Sequence, residues 1–300
     1  MVFKNFDELV NAVQKSEQIK KVVVVSAHEE HTIQAVLKAQ KDRILSPIWI
    51  GDKPKIEAIL HELDETVDGH EIIHVPDDVE AAELAVSLIH QNRADFIMKG
   101  KIQTADLLKA VVNKENGLGM GTIMSHFAIN EIPQYHKLVV TTDGGMVMYP
   151  NLIQKKQIIQ NAVKTLKILG YDCPKVAVLA AIETVNAKMP ETVDADLLKK
   201  MNQSGEIENC IVEGPISYDL VMSRSSAAIK NYQSPIVGDA DILVVPNITV
   251  GNILGKSLVY SAGAKMAGFV VGAKVPIVLT SRGSTSEEKY LSLVLAASVA

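Results

Sequence analysis

Cysteine is scarce in this sequence. Cys173 and Cys210 are the only two, with no Cys-x-x-Cys pair and no metal-ligand spacing. That excludes a disulfide framework and a zinc ribbon. It points to a reducing, cytoplasmic compartment, with both thiols buried among apolar strand neighbours. Long apolar runs are missing as well. No uncharged stretch reaches the ~18–20 residues needed to span a bilayer, so no membrane partner is expected. The opening MVFKNFDELVNAVQ carries Asp7 and Glu8 within an amphipathic helical pattern, unlike a signal peptide. There is no excess of positive charge either. The formal net charge of −5 argues against general nucleic-acid binding. Arginine is rare, with four (Arg43, Arg93, Arg224 and Arg282) against 26 lysines, so an arginine at a chemically special place draws notice. Also absent are a Walker-type phosphate loop, a Gly-x-Gly-x-x-Gly after the first strand and a Gly-x-Ser-x-Gly elbow. Their absence disfavours those nucleotide-binding and hydrolase classes.

What is present is ordinary globular material, 47% hydrophobic and 22% charged, enough to build a core. The length of 300 residues suits two α/β domains. Apolar runs alternate with stretches of helical period. KKVVVVSA, PIWIGD, EIIHV and ADFIMKG read as strands. Between and after them, residues 29–41, IEAILHEL, AAELAVSLIHQ (capped by Asp77 or Asp78) and TADLLKAVVNK read as helices. Such a β-α repeat implies a mainly parallel sheet covered by helices. Pro133 breaks the periodicity near residues 131–137, where a domain crossing is expected. LVVTT, a tight turn at Asp143-Gly144-Gly145 and a helix over 151–169 follow. KVAVLAA, EIENCIVEG, DILVVPN, GFVVG and VPIVLT then read as strands, with helices near 192–203, from Tyr218, after Gly251 and over 287–299. The expected division is residues 1–133 plus 269–300 in one domain and 134–268 in the other.

In parallel α/β sheets, ligands bind beyond the carboxyl ends of the strands. Those ends carry Ser26-Ala27-His28, then Lys99-Gly100-Lys101 followed by Gln103 and Thr104, then Pro246-Asn247 with Gly251-Asn252, and finally Ser281-Arg282-Gly283-Ser284-Thr285-Ser286. The last run offers hydroxyls, a guanidinium and a helix N-terminus, all suited to anions. Ser284-x-x-Glu287 and Thr285-x-x-Glu288 each also fit a capping box, a purely structural reading. Arg282 is harder to explain as structure, because a strand end needs no arginine. His28 and His31 lack a third ligand at recognisable spacing, so no metal is expected.

These motifs, in this order, resemble the phosphate acetyl- and butyryltransferases over nearly the whole chain. The likeness rests on Asp241 to the C-terminus, with its Pro246-x-x-x-x-Gly251-Asn252 turn and its Ser281-Arg282-Gly283 strand end. It rests also on VEGPISYD (Val212–Asp219), GKIQTADLLKAV (Gly100–Val111) and PIWIGD. Lys99-Gly100-Lys101 and SHFAINEIP are similar to the butyryl and branched-chain members. The resemblance implies two α/β/α three-layer domains with mainly parallel sheets, an active site in the interdomain cleft, and a homodimer or higher homo-oligomer. The scaffold is of the isocitrate/isopropylmalate dehydrogenase kind.

The resemblance also implies roles. Ser281 and Arg282 match the pair that assists at the reacting carbonyl and phosphate. Glu288 stands where acetyl enzymes carry an aspartate that deprotonates coenzyme A. Lys109 stands where those enzymes have an arginine and keeps the charge without the bidentate fork. Thr104, Lys109, Asn247, Gly251, Asn252 and Gly283 are the substrate-binding candidates. The implied reaction is acyl-CoA plus phosphate giving acyl phosphate plus CoA, with a butyryl or branched C4–C5 acyl group. Transfer is direct, in a ternary complex. Coenzyme A is substrate and product, and neither a permanent cofactor nor a metal is expected. Three alternatives stand beside this reading: a phosphate acetyltransferase, a two-domain decarboxylating-type dehydrogenase, and a non-catalytic module sensing coenzyme A or an acyl phosphate. The dehydrogenase would need clustered aspartates and several substrate arginines. The sensing module would have no use for Ser281, Arg282 and a carboxylate together.

Overall fold

The computed structural model describes residues 2–281 and 283–300. In chain order its elements are α1 (Phe6–Lys15), β1 (Lys20–Val25), α2 (Glu30–Lys41), β2 (Leu45–Gly51), α3 (Lys53–Glu62), β3 (Glu71–His74), α4 (Asp78–His90), β4 (Phe96–Lys99), α5 (Thr104–Val111), β5 (Ser125–Glu131) and β6 (Val139–Thr142). There follow α6 (Leu152–Ile168), β7 (Lys175–Leu179), α7 (Pro190–Gln203), β8 (Ile211–Ile216), α8 (Tyr218–Met222), α9 (Arg224–Ile229), β9 (Ile242–Val244), α10 (Ile248–Ala262), β10 (Lys265–Val271), β11 (Ile277–Val278) and α11 (Ser286–Ala297). The chain forms two compact units. One is Phe6–Thr122 with Ala267–Ala300; the other is the chain up to Asn5 with Ile123–Met266.

In the unit containing both α1 and α11, the strand order is β3-β2-β1-β4-β11. All neighbours in that run are parallel, and β10 lies antiparallel on β11. Val22 to Val25 are wholly buried, as expected of a central parallel strand covered on both sides. This is why KKVVVV is continuously apolar after its lysines instead of alternating. Helix α2 packs with α11, and α4 with α5. Short carboxylates start the helices: Asp77 accepts the N–H groups of Val79 and Glu80 at 2.9 and 3.0 Å. Asp78 instead accepts the Ser26 hydroxyl at 2.6 Å, so of the two aspartates Asp77 is the cap.

The other unit has the order β5-β6-β9-β7-β8, with β5 antiparallel and the rest parallel. Its core includes Val139, Leu179, Ile216, Leu220 and Leu243. A buried ionic cluster closes the amino ends of the strands. Lys137 donates to Asp241 at 2.6 Å and to the Asp239 carbonyl at 2.9 Å. Burial works against the Asp239 carboxylate, yet hydrogen bonds from Lys175 and Lys137 hold it well below the usual range. Among the described residues, no helix is long and apolar enough to cross a membrane.

Several local expectations change. SHFAINE forms β5, which the sequence reading did not assign. VPIVLT contributes a strand of only two residues. The helix expected after Gly251 begins at Ile248, because the Asn247 side chain accepts the Val250 N–H at 3.1 Å and caps it earlier. Cys173 is exposed and not among buried strand neighbours; Cys210 is buried, and both are free thiols.

Candidate active site

The exits of β1, β4 and β11 meet around one small cavity of about 380 Å3. Gly100 makes the approach possible. A Cβ there would stand 2.4 Å from the Ser26 carbonyl oxygen and 2.7 Å from that of Val25, distances no side chain tolerates. The Gly100 and Lys101 N–H groups donate to Val25 and Ser26 at 2.8 Å each. This stitching brings Lys99 and Lys101 beside Glu29, Thr280, Ser281 and Lys289 in the cavity wall. A larger cavity of about 710 Å3 lies elsewhere in the same unit and includes Glu83, His90, Asp106 and Lys109. It contains no strand exit and no part of the Ser281 segment. The smaller one, where the parallel strands end, is the candidate site.

The segment after β11 organises itself. Ser281 Oγ accepts the Gly283 N–H at 3.4 Å, and the Ser281 carbonyl accepts the Ser284 N–H at 3.1 Å. Thr285 caps α11 by accepting the Glu288 N–H at 3.2 Å. Of the two capping boxes open to the sequence, the one starting at Thr285 supplies the cap. Glu288 thus has a structural role through its backbone, and its side chain is a separate matter. Burial pushes the Glu288 carboxyl above its ordinary value; nearby Ser284, Lys289 and Thr285 pull the other way without reversing it. Lys289, only 4% exposed, donates to Glu29 at 2.5 Å and to the Thr32 hydroxyl at 3.0 Å. Burial alone would raise the Glu29 carboxyl, but hydrogen bonds from Lys289 and Thr32 hold it below the usual value. Glu29 and Lys289 carry no sequence signal that marks them as a pair. Residues 260 positions apart give no local signal that they are partners.

The remaining candidates are distributed as follows. Arg282 lies outside the described residues. Gly283 has open space around a hypothetical Cβ. Thr104 is the exposed first residue of α5. Lys109 lines the larger cavity, away from Ser281's. Asn247, Gly251 and Asn252 belong to the other unit. There Gly251 is buried against the Asp143-Gly144-Gly145 turn; a Cβ on it would stand 2.7 Å from Gly144 Cα and 3.0 Å from the Asp143 carbonyl oxygen. The Asp143 carboxylate is buried and accepts three backbone N–H groups, from Gly145, Met146 and Val147, at 2.9 Å each. Beside it, burial lowers the pKa of His126, against the opposing pull of Asp143. Asn252 is exposed. Among the described residues, no group of three His, Cys, Asp or Glu could hold a metal ion.

Similarity to known proteins converges on one family. The phosphate acetyl/butaryl transferase signature matches residues 78–297. The phosphate butyryltransferase of Clostridium acetobutylicum is 40% identical over 299 residues, covering 100% of this chain and 99% of that protein. The phosphate acetyltransferase of Thermotoga maritima is 42% identical over 278 residues, covering 93% and 94%. Among solved structures, a branched-chain phosphotransacylase from Enterococcus faecalis V583 superposes with a TM-score of 0.83 at 36% identity, covering 94% of this chain and 99% of that one. The chain belongs to the phosphate acetyl/butaryl transferase family and is an acyltransferase.

Proposed function

We propose that the protein interconverts acyl-CoA plus phosphate with acyl phosphate plus CoA, and that its preferred acyl group is butyryl or a branched C4–C5 chain. The observation that carries this reading is the cavity at the exits of β1, β4 and β11. Ser281 lines it among lysines, and the helix that follows carries a carboxyl raised by burial. In the CoA-acylating direction, the Glu288 carboxylate takes the proton of the CoA thiol, since the thiolate is the nucleophile. The sulfur attacks the acyl phosphate carbonyl. A C–S bond forms, the C–O bond to the phosphoryl group breaks, and phosphate leaves. In the reverse direction a phosphate oxygen attacks the thioester, and the departing thiolate recovers the proton from Glu288. A carboxyl raised towards the thiol range gives up and takes back that proton more evenly than an ordinary one.

Ser281 and Arg282 serve the developing oxyanion and the phosphate charge. Transfer is direct in a ternary complex, with coenzyme A as substrate and no permanent cofactor. Thr104 and Gly283, in the unit that holds this cavity, belong to the substrate-binding surface. For Lys109 the separate cavity favours a different role from phosphate binding. The working form is a homodimer in the cytoplasm.

The test is a thiol-release assay with phosphate and a series of acyl-CoA esters, scored by kcat/KM. The reading expects butyryl- or branched C4–C5 esters to lead. Leadership by acetyl-CoA would reassign the chain to acetyl transfer. No thiol release from any ester would favour a sensing module.

A further inference from the structure

Ser284 lies between the strand exit that carries Ser281 and the first turn of α11. The polar groups on either side of it have structural duties. The Ser281 carbonyl accepts the Ser284 N–H at 3.1 Å, and the Thr285 hydroxyl oxygen accepts the Glu288 N–H at 3.2 Å. The Ser284 hydroxyl has no such duty. The residue is only 4% exposed, and among the described residues its Oγ takes part in no hydrogen bond of ordinary geometry. A buried hydroxyl in that state is costly, and neither the turn nor the helix cap requires one there.

The group within its reach is the Glu288 side chain, four residues on. Burial raises the Glu288 carboxyl, and the Ser284 hydroxyl is the foremost of the groups that pull it back, ahead of Lys289 and the Thr285 backbone. The contact is looser than a full hydrogen bond and close enough to become one. The charged groups on the elements around α11 are engaged elsewhere or stand at the cavity. Lys289 is bound to Glu29 at the cap of α2. Lys38 of α2 lies 4.0 Å above the Tyr290 ring, and Asp42 accepts the Tyr290 hydroxyl at 2.7 Å. Lys99 and Lys101, at the exit of β4, line the cavity with Ser281. The buried face of α1 is apolar: Phe6, Leu9 and Val13.

A serine hydroxyl carries one donor and two acceptor lone pairs, whereas an ammonium can only donate. By turning about a single bond, the hydroxyl donates to an ionised carboxylate and accepts from a protonated carboxyl. A base that passes between those two forms at every turnover is served by such a partner in both.

We propose that Ser284 is a positioning residue for the reaction: its hydroxyl holds the Glu288 carboxyl in place, donating to the carboxylate before it takes the CoA proton and accepting from the carboxyl afterwards. No bond to Ser284 is made or broken beyond these hydrogen bonds. The inference rests on the reading of Glu288 as the base and adds the residue that keeps that base aimed.

The test compares wild type, Ser284→Ala, Glu288→Gln and the double variant, following thioester formation from butyryl phosphate and CoA across pH. Ser284→Ala should lower kcat by ~5- to 10-fold on the high-pH plateau, the scale of one hydrogen bond. The KM of either substrate should stay within about 2-fold. The acid limb of its kcat/KM profile should move to higher pH, because a donor that favours ionised Glu288 is gone. Tm should hold, since no hydrogen bond of ordinary geometry is lost. In the Glu288→Gln background the same substitution should change the rate by less than about 2-fold, as expected of two residues that act as a unit. Ser284→Cys keeps the side chain's shape with a much weaker donor. It takes the place of Ser284→Ala, with the same expected changes, if that variant does not fold. An acid limb that stays in place, or a rate loss of equal size in both backgrounds, overturns the proposal and leaves Ser284 a packing role. Either result leaves the base reading intact. Glu288→Gln turning over at the wild-type rate removes the base and this inference together.

Discussion

Lys289 Nζ stands 2.5 Å from a Glu29 carboxylate oxygen and ties the first turn of α11 to the cap of α2. Glu29 caps α2 through the N–H groups of His31 and Thr32, so one carboxylate serves both elements. Glu288 is the neighbour of this anchored lysine.

The Glu29–Lys289 pair has a defined pH signature. The folded-state carboxyl lies below its ordinary value. Its stabilising contribution is therefore complete above the ordinary glutamate range and lost as pH falls through the folded-state value. Glu29→Gln leaves Lys289 buried without its counter-charge and should cost about 1–3 kcal/mol at neutral pH. Thermal unfolding followed from pH 7 to pH 3 should show the gap between wild type and variant narrowing in acid. A gap that stays constant would mean the carboxylate's charge contributes nothing.

For Glu288 the sign is reversed. A carboxyl raised by burial is costly to ionise in the folded state, so it subtracts stability above the ordinary glutamate range. Glu288→Gln should lower kcat by ~10²–10⁴-fold, the range for removing a general base, while Tm holds or rises slightly. In the CoA-acylating direction, where Glu288 must start ionised, wild-type kcat/KM should fall as pH drops through a value above that of an ordinary glutamate. Glu288→Asp should retain part of the activity. A Glu288→Gln enzyme turning over at the wild-type rate would leave this residue only its capping role.

Arg282→Ala should lower kcat by at least ~10²-fold, as for the loss of one preorganised anion donor. Circular dichroism and Tm should be unchanged. Near-normal turnover would remove Arg282 from the reaction.

Two glycines should respond oppositely to alanine. Gly251→Ala drives a methyl to within 2.7 Å of Gly144 Cα and should destabilise by ~1–3 kcal/mol through overpacking. Gly283→Ala meets nothing within 4 Å, so its Tm should match wild type. Any loss of activity there would mark contact with substrate. Urea unfolding of both variants, with turnover measured in parallel, checks the pair.

How much of this was legible depended on range in sequence. The β-α alternation in the unit containing α1 and α11 was readable because a central parallel strand such as Val22–Val25 is buried on both sides and announces itself as an unbroken apolar run. The cap at Asp77 was narrowed to two residues, since either aspartate could reach the free N–H groups. The choice was made by Ser26, a residue 52 positions away from Asp78. The start of α10 at Ile248 is hidden in the sequence because Gly251 looks like punctuation. Its actual requirement is the close pass of Gly144, a tertiary fact. For the site, Ser281 stands out at a strand end, whereas Glu288 reads from its spacing only as a capping partner and takes a chemical role from the family resemblance. The Glu29–Lys289 pair does not stand out, because an ion pair between distant residues leaves no spacing to read. Lys109 is singled out by its motif, yet it lines a cavity separate from that of Ser281, which no spacing in sequence discloses.

The contrast between the two thiols has a practical consequence at the bench. Colorimetric thiol reagents report coenzyme A release by reacting with any accessible sulfhydryl. Exposed Cys173 will add one equivalent of background per protein chain, whereas Cys210, with its thiol pushed up to about 12 by burial, stays silent on the same timescale. The rapid initial absorbance step thus counts polypeptide and the slope that follows counts turnovers, so a single trace calibrates its own enzyme concentration. The same asymmetry makes Cys173 an addressable position for a fluorophore or spin label without any engineering of the chain.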